Sequence, residues 1–235
     1  MTSSLWQTNA VALRTGGEAM LIDSPYFPDE VELLPELLRQ SGFEPAALLV
    51  THADWDHLLG PLAFPAASLG VAESTAMRLR AEPGVAQRYL RAADDEYYVR
   101  RERPLSLGSY QSLPVPGKLG LGDQELELHP AEGHTADGMA IVARWCGVLV
   151  CGDYLSDVEI PGYRDKALYR ATLERLGRLL DDVDVVVPGH GAPMTRDDAR
   201  RILDEDLVYL DSGELPAGRD SPVQRQLHER NVSRK

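Results

Sequence analysis

Residues 51–57 read Thr51-His52-Ala53-Asp54-Trp55-Asp56-His57, directly after the apolar run Ala46-Ala47-Leu48-Leu49-Val50. A short apolar run bounded by polar residues is the pattern of a buried strand, so this one predicts a strand that ends at His52. Two imidazoles and two carboxylates then leave the strand end close together. These groups are the ligands of zinc, iron and manganese. Three further segments repeat the arrangement: Glu132-Gly133-His134-Thr135, Cys151-Gly152-Asp153 and Pro188-Gly189-His190-Gly191, each after a strand-like run. In layered folds of sheet and helix, loops at one sheet edge converge and carry the chemistry. Seven potential ligands on four loops (His52, Asp54, Asp56, His57, His134, Asp153 and His190) therefore point to one site. Two cations held about 3.5–4 Å apart there would serve metal-assisted hydrolysis.

The rest of the chain supplies layers for such a site. Around Thr15-Gly16-Gly17 the sequence predicts a hairpin. Residues 29–41 carry Val31, Leu34, Leu37 and Leu38 at helical spacing, with Pro35 marking a kink or a late start. Residues 68–73 read as a strand and 74–82 as a helix with a Ser or Thr start. A helix-like stretch opens residues 83–118, which are otherwise illegible and end in a Pro- and Gly-rich connection. Residues 124–131 alternate as a strand, 139–153 form a strand pair around Gly147, 164–182 an amphipathic helix and 183–191 a buried strand. Residues 195–213 read as a helix capped by Thr195 and ended by Gly213. Strands in runs with helices between them suggest mixed sheets covered by helices on their outer faces. The expected organisation is one domain over residues 1–214 and a frayed or docked tail, 215–235, made basic by Arg219, Arg225, Arg230, Arg234 and Lys235.

The chain has 235 residues, with 24 Lys and Arg against 37 Asp and Glu, a formal net charge of −13. Phosphate backbones are held by clustered cations, so the balance argues against a nucleic-acid partner. No apolar run reaches the roughly 18 residues of a membrane span, and the first residues show no secretory signal. The expectation is a cytoplasmic protein with no membrane partner. Cys146 and Cys151 lie five apart in one predicted strand, on opposite faces, so no bond between them is expected. His129, in an alternating strand, reads as a structural histidine, and His228 lies in the tail.

Taken in order, the four segments resemble the metallo-β-lactamase superfamily of metallohydrolases, whose signature is His-x-His-x-Asp-His, then a single His, a bridging Asp and a last His. The likeness runs through residues 8–191 and includes Leu21-Ile22-Asp23, Gly60 and Gly133-His134-Thr135. It implies an α/β (α+β) fold, an αββα sandwich of two mixed β-sheets flanked by helices, with the metals at one edge. Carried over by position, His52 and His134 bind the first metal, Asp56, His57 and His190 the second, and Asp153 bridges them. One position departs: the family's second histidine is Asp54 here. Aspartate still ligates through oxygen but adds a negative charge, which predicts weaker Lewis acids than in a His-rich site. It also shifts the donor set toward oxygen. The expected cofactor is therefore two divalent ions, zinc first, with manganese or iron admitted because of Asp54. A carboxylate at this position resembles the flavodiiron branch, whose flavin domain is missing here, and the nuclease-like domain of some DNA-uptake proteins, which the acidic balance disfavours. Loss of one site, leaving a mononuclear protein, is the third option.

The resemblance leads to a hydrolase of a small carboxylic ester, thioester or lactone. In it a metal-bound hydroxide attacks the carbonyl, and Asp56 orients that nucleophile or takes its proton. The alternatives are a phosphodiesterase or nuclease, an iron-dependent redox enzyme of the sulfur dioxygenase-like or diiron kind, and a non-catalytic metal-binding module. Trp55, between two ligands, and Tyr154, after Asp153, are the candidates for substrate contact, each with packing as its alternative. Tyr97, Tyr98, Arg100, Arg101 and Arg103 form a candidate lid or pocket wall for an anionic group, with a solvated helix face as the favoured alternative. The partner is a small-molecule substrate, and monomer and oligomer are equally compatible with the sequence.

Overall fold

Successive strand residues point to opposite sheet faces, and in the central strands of both sheets both faces are buried. A computed structural model describes residues 1–233. Arg234 and Lys235 of the basic tail lie outside the described residues. Strands β1 (Val11–Thr15), β2 (Glu18–Ile22), β3 (Pro45–Leu49), β4 (Ser68–Ala72) and β5 (Tyr110–Leu113) form one sheet in that order. Its β1 is antiparallel to β2, and the remaining pairs are parallel. Strands β6 (Gly117–Leu121), β7 (Gln124–Pro130), β8 (Met139–Ala143), β9 (Val148–Val150), β10 (Val185–Val187) and β11 (Met194–Thr195) form the second sheet, in the order β11-β10-β9-β8-β7-β6. Only its β9 and β10 pair in parallel.

Three apolar layers follow from the alternation. Met20, Ile22 and Leu49 of the first sheet meet Leu126, Leu128, Ile141 and Val150 of the second between the sheets. Leu21, Leu48 and Val71 face outward onto helices α1 (Pro28–Gln40), α3 (Glu73–Ala81) and α4 (Val85–Glu96) through Val31, Leu34, Ala76 and Leu90. Val142, Leu149 and Val186 face outward onto α5 (Lys166–Leu179) and α6 (Arg196–Ser212) through Leu173, Leu176 and Ile202. The result is the αββα sandwich of two mixed sheets. A one-turn helix, α2 (Gly60–Ala63), and a last helix, α7 (Pro222–Ser233), complete the described α-helices, and Trp55–His57 forms a 3-10 turn.

Strand direction positions the site. β2 and β3 run in parallel in one sheet, and β7, β9 and β10 run in one direction in the other. The loops leaving their C-terminal ends carry Asp23, residues 51–57, His134, Asp153 and His190.

Several expectations change in detail. The first helix begins at Pro28 in its first turn and runs through Pro35, so there is no late start. Helix α3 starts at Glu73 without a side-chain cap. Residues 83–118 hold α4 and then β5 and the start of β6, two edge strands rich in Gly, Ser and other weak strand formers, which pair only because β4 and β7 offer free edges. Cys146 and Cys151 do not share a strand: residues 144–146 form a helical turn between β8 and β9, and both thiols are free. Thr195 does cap α6, its hydroxyl accepting from the Asp198 N–H, and Gly213 ends that helix at φ 75°. His129 sits 3.2 Å from Glu127 on a partly exposed strand. The tail is docked: buried Arg219 pairs with buried Asp206 at 2.6 Å, and Asn231 Nδ2 donates to Pro161 O and Tyr209 Oη.

Candidate metal centre

Four imidazoles converge on the two oxygens of one carboxylate. Asp153 Oδ2 lies 3.5 Å from His52 Nε2 and 3.1 Å from His134 Nε2. Its Oδ1 lies 3.2 Å from His57 Nε2 and 3.6 Å from His190 Nε2. Asp54 Oδ2 is 3.8 Å from His52 Nε2 and 3.7 Å from His134 Nε2. Asp56 Oδ2 is 3.7 Å from His57 Nε2 and 3.3 Å from His190 Nε2. All seven residues named from the sequence therefore meet, in two groups of three on either side of Asp153.

Each ring is held from behind. His57 Nδ1 lies 2.9 Å from Asp23 Oδ2, His134 Nδ1 2.6 Å from Gly162 O, His190 Nδ1 3.1 Å from Trp6 O and His52 Nδ1 3.1 Å from Thr51 Oγ1. Asp23 is itself fixed by the Thr51 N–H and hydroxyl. Such outer contacts select the tautomer that leaves Nε2 free to ligate. Gly189 has a steric reason to be glycine, because a Cβ there would strike Asp153 Oδ1. Asn9 Nδ2 braces the same loop, donating to Pro188 O and Gly191 O.

Buried His52 Nε2, His57 Nε2 and Asp153 Oδ1 have no hydrogen-bond partner. An unsatisfied buried polar atom costs about 1–3 kcal/mol. Here the lone pairs face one another across the short distances above, without hydrogen-bond geometry. Imidazole nitrogens and carboxylate oxygens in this arrangement fit divalent cations. Burial alone would raise the Asp54 carboxyl; His134, His52 and Arg78 outweigh it and hold it well below the usual carboxylate range. Burial would likewise lower His134, but Asp153 and Asp54 outweigh it and push the imidazole up to about 10.

The charge expected from Asp54 is altered by Arg78 of α3, whose Nη2 donates to Asp54 Oδ1 at 2.6 Å. The site therefore does not carry three uncompensated carboxylates.

The cluster opens on a cavity of about 770 Å³, lined also by Trp6, Trp55, Tyr97, Glu159, Arg164 and Arg230. Trp55 both lines it and packs, 5.3 Å from Tyr26 and 5.4 Å from Trp6 between ring centroids. Tyr154 is a correction. It is buried, its hydroxyl donates to Glu132 O at 2.7 Å and accepts from the His134 N–H at 3.0 Å, and its ring stacks on Tyr169. It supports the His134 loop from behind. The arginine wall is also corrected. Arg101 is bound to Asp94 and Tyr26 O and Arg103 to Leu62 O, while Arg100 and Tyr98 are exposed, so only Tyr97 of that group lines the cavity. Sequence reading missed Trp6, Arg78, Asp137 and the cavity face of α7, and gave Asp23 no role beyond the family likeness.

The sequence pattern of the metallo-beta-lactamase superfamily matches residues 4–190. The chain belongs to that superfamily. Solved structures agree on the superfamily fold. A metallo-beta-lactamase from Pontibacter korlensis is 20% identical with a TM-score of 0.65, each chain covered over 87%. An archaeal metallo-beta-lactamase superfamily protein from Sulfolobus tokodaii is 18% identical with a TM-score of 0.67, over 96% of this chain and 90% of that one. TTHA1623, solved in a di-iron-bound form, is 26% identical with a TM-score of 0.65, over 86% of this chain and 96% of that one. No curated protein matches the chain. Superfamily membership supports a metal-dependent hydrolase in general. Among the described residues, no helix is long and apolar enough to cross a membrane.

Proposed function

We propose that this metallo-beta-lactamase superfamily protein hydrolyses a small carboxylic ester, thioester or lactone with two divalent cations. In this reading His52, Asp54 and His134 hold one cation, Asp56, His57 and His190 hold the other, and Asp153 spans both. The observation that carries it is the pairing of two imidazole nitrogens with each oxygen of Asp153. The cations, zinc in the leading assignment, supply an acidified water and polarise the scissile carbonyl. Asp23, Thr51 and the carbonyls of Trp6 and Gly162 keep the four rings in the ligating tautomer. Asp56, buried beside His190, orients the attacking water or takes its proton. An Asp56→Ala protein with full metal content and full activity would contradict that role. Trp6, Trp55 and Tyr97 give a small molecule an aromatic wall, and Arg164 and Arg230 meet an acid group on it. The net charge of −13 supports a small molecule over a nucleic acid.

The test is a panel of chromogenic acyl esters, thioesters and lactones beside a phosphodiester, with zinc- and manganese-loaded protein. Acyl turnover that disappears in Asp153→Ala supports the reading. Turnover confined to the phosphodiester, or none with both cations bound, contradicts it. An iron-dependent redox enzyme is the second reading, favoured by the di-iron form of TTHA1623 and by the extra oxygen donor at Asp54. Iron at about two equivalents per chain, with absorbance beyond the protein band, would move the assignment there.

A further inference from the structure

Asp54 is where the sequence departs from the pattern it resembles, and the fold gives that residue a dedicated partner. Arg78 projects from α3 with its side chain 8% exposed. Its Nη2 donates to Asp54 Oδ1 at 2.6 Å and its Nη1 to Asp137 Oδ1 at 2.7 Å. Asp137 is buried and also accepts from the Ala53 N–H at 2.8 Å and from the Thr135 hydroxyl at 2.8 Å. One guanidinium thus ties together the loop that carries Asp54 and the loop that carries His134. It occupies one oxygen of Asp54 and leaves the other facing His52 and His134.

We propose that Arg78 is a positioning residue that makes Asp54 act toward the first cation as a neutral, single-oxygen ligand. The inference rests on the reading that His52, Asp54 and His134 hold a cation. Asp54, Asp137 and Glu82, whose Oε2 lies 3.4 Å from Arg78 Nε, together bring three negative charges to this side of the centre, and the guanidinium leaves two. A histidine at position 54 with an uncharged side chain at 78 would leave the same two charges. Arginine stays protonated in proteins, so the compensation holds at every working pH. Its planar fork also serves two carboxylates at once, which a lysine ammonium does without fixed direction. Positions 54 and 78 are therefore coupled. Histidine at 54 with Arg78 retained leaves the guanidinium to Asp137 and Glu82 and removes one negative charge beside the metal, although it restores the residue of the family pattern.

The experiment titrates zinc against a chromophoric chelator in wild type, Asp54→His, Arg78→Gln, Asp54→His/Arg78→Gln and Asp54→His/Arg78→Lys. Circular dichroism checks that each is folded, and no activity is needed. Asp54→His is expected to hold the first zinc about 10–100-fold more weakly, the range of outer-contact effects on metal affinity. Asp54→His/Arg78→Gln recovers that loss, and Asp54→His/Arg78→Lys, which keeps the charge, does not. Arg78→Gln alone binds the first zinc at least as tightly as wild type, which decides the matter if the double variants do not fold. Two sites as tight in Asp54→His as in wild type would overturn the proposal, as would a folded Arg78→Gln that loses the first zinc. A folded Asp54→His/Arg78→Gln no tighter than Asp54→His would do the same. Each of those outcomes leaves the two-cation reading standing, whereas wild type that takes up no zinc overturns both.

Discussion

The two halves of the metal centre use the same residue types and differ in what stands behind them. Asp56, His57 and His190 are closed off, with side-chain exposures of 8%, 0% and 5%, and an anion, Asp23, lies behind His57. Asp54 and His134 are 29% and 23% exposed on the cavity side, and a cation, Arg78, lies behind Asp54. A carboxylate behind an imidazole raises its basicity as a ligand. A guanidinium behind a carboxylate lowers the charge which that ligand offers. Burial and outer contacts, more than ligand identity, distinguish the two halves, which under the two-cation proposal predicts unequal cation affinities.

The comparison can be broken or sharpened in several ways. Asp153 is shared, so Asp153→Ala should empty both halves and cost turnover on the order of 10³-fold; retention of both metals in elemental analysis would break the symmetry argument. Asp23 touches a ring of the second half directly and reaches the first only through the Thr51 hydroxyl that faces His52. Asp23→Ala should weaken the second cation by about 10–100-fold and the first by clearly less, as read by chelator competition. Equal losses at both would erase the division. Chelation removes the partners of the four imidazoles and three carboxylates, and cations at about 100 times their dissociation constant contribute about 2.7 kcal/mol each. Melting temperature should then fall by about 10–20 °C, and an unchanged melt would contradict the coupling of metal to fold.

The sign of proton exchange sharpens the first half. The carboxylates push His134 up to about 10, so near pH 8 its imidazole carries a proton that a cation must displace. Loading should release protons, measured as a buffer-dependent binding heat, and no release would contradict this. The smallest effect concerns the loop behind His134. Tyr154→Phe removes the hydroxyl's contacts to Glu132 O and the His134 N–H, which predicts a loss of about 1–2 kcal/mol in stability with KM unchanged. A raised KM with stability intact would return Tyr154 to the substrate side.

Much of this was legible because the ligands sit in short Gly- and Asp-rich segments directly after apolar strands, where spacing alone groups them. Residues 51–57, Gly133-His134 and Gly189-His190 read that way. The supports were not legible. Asp23 differs from any polar residue at a strand end until His57 is seen against it. Arg78 lies on a helix of weak amphipathicity and meets Asp54 and Asp137 only through tertiary packing. Trp6 reaches His190 across 184 residues of chain. β6 escaped because Pro116, Gly117 and Gly120 suppress the alternating pattern that reveals β7, and β5 because its four residues, Tyr110–Leu113, show no such alternation. The sequence of the tail admits a frayed or a docked end, and the buried Arg219–Asp206 pair that docks it is invisible without the fold.

The central claim is that Asp153 divides the cluster into two cation sites. Metal content per chain, by elemental analysis of protein purified without chelator and then offered zinc, tests it most directly. About two equivalents are predicted, falling to about one in Asp23→Ala at limiting zinc. One equivalent or none in the wild-type protein after reconstitution would contradict it.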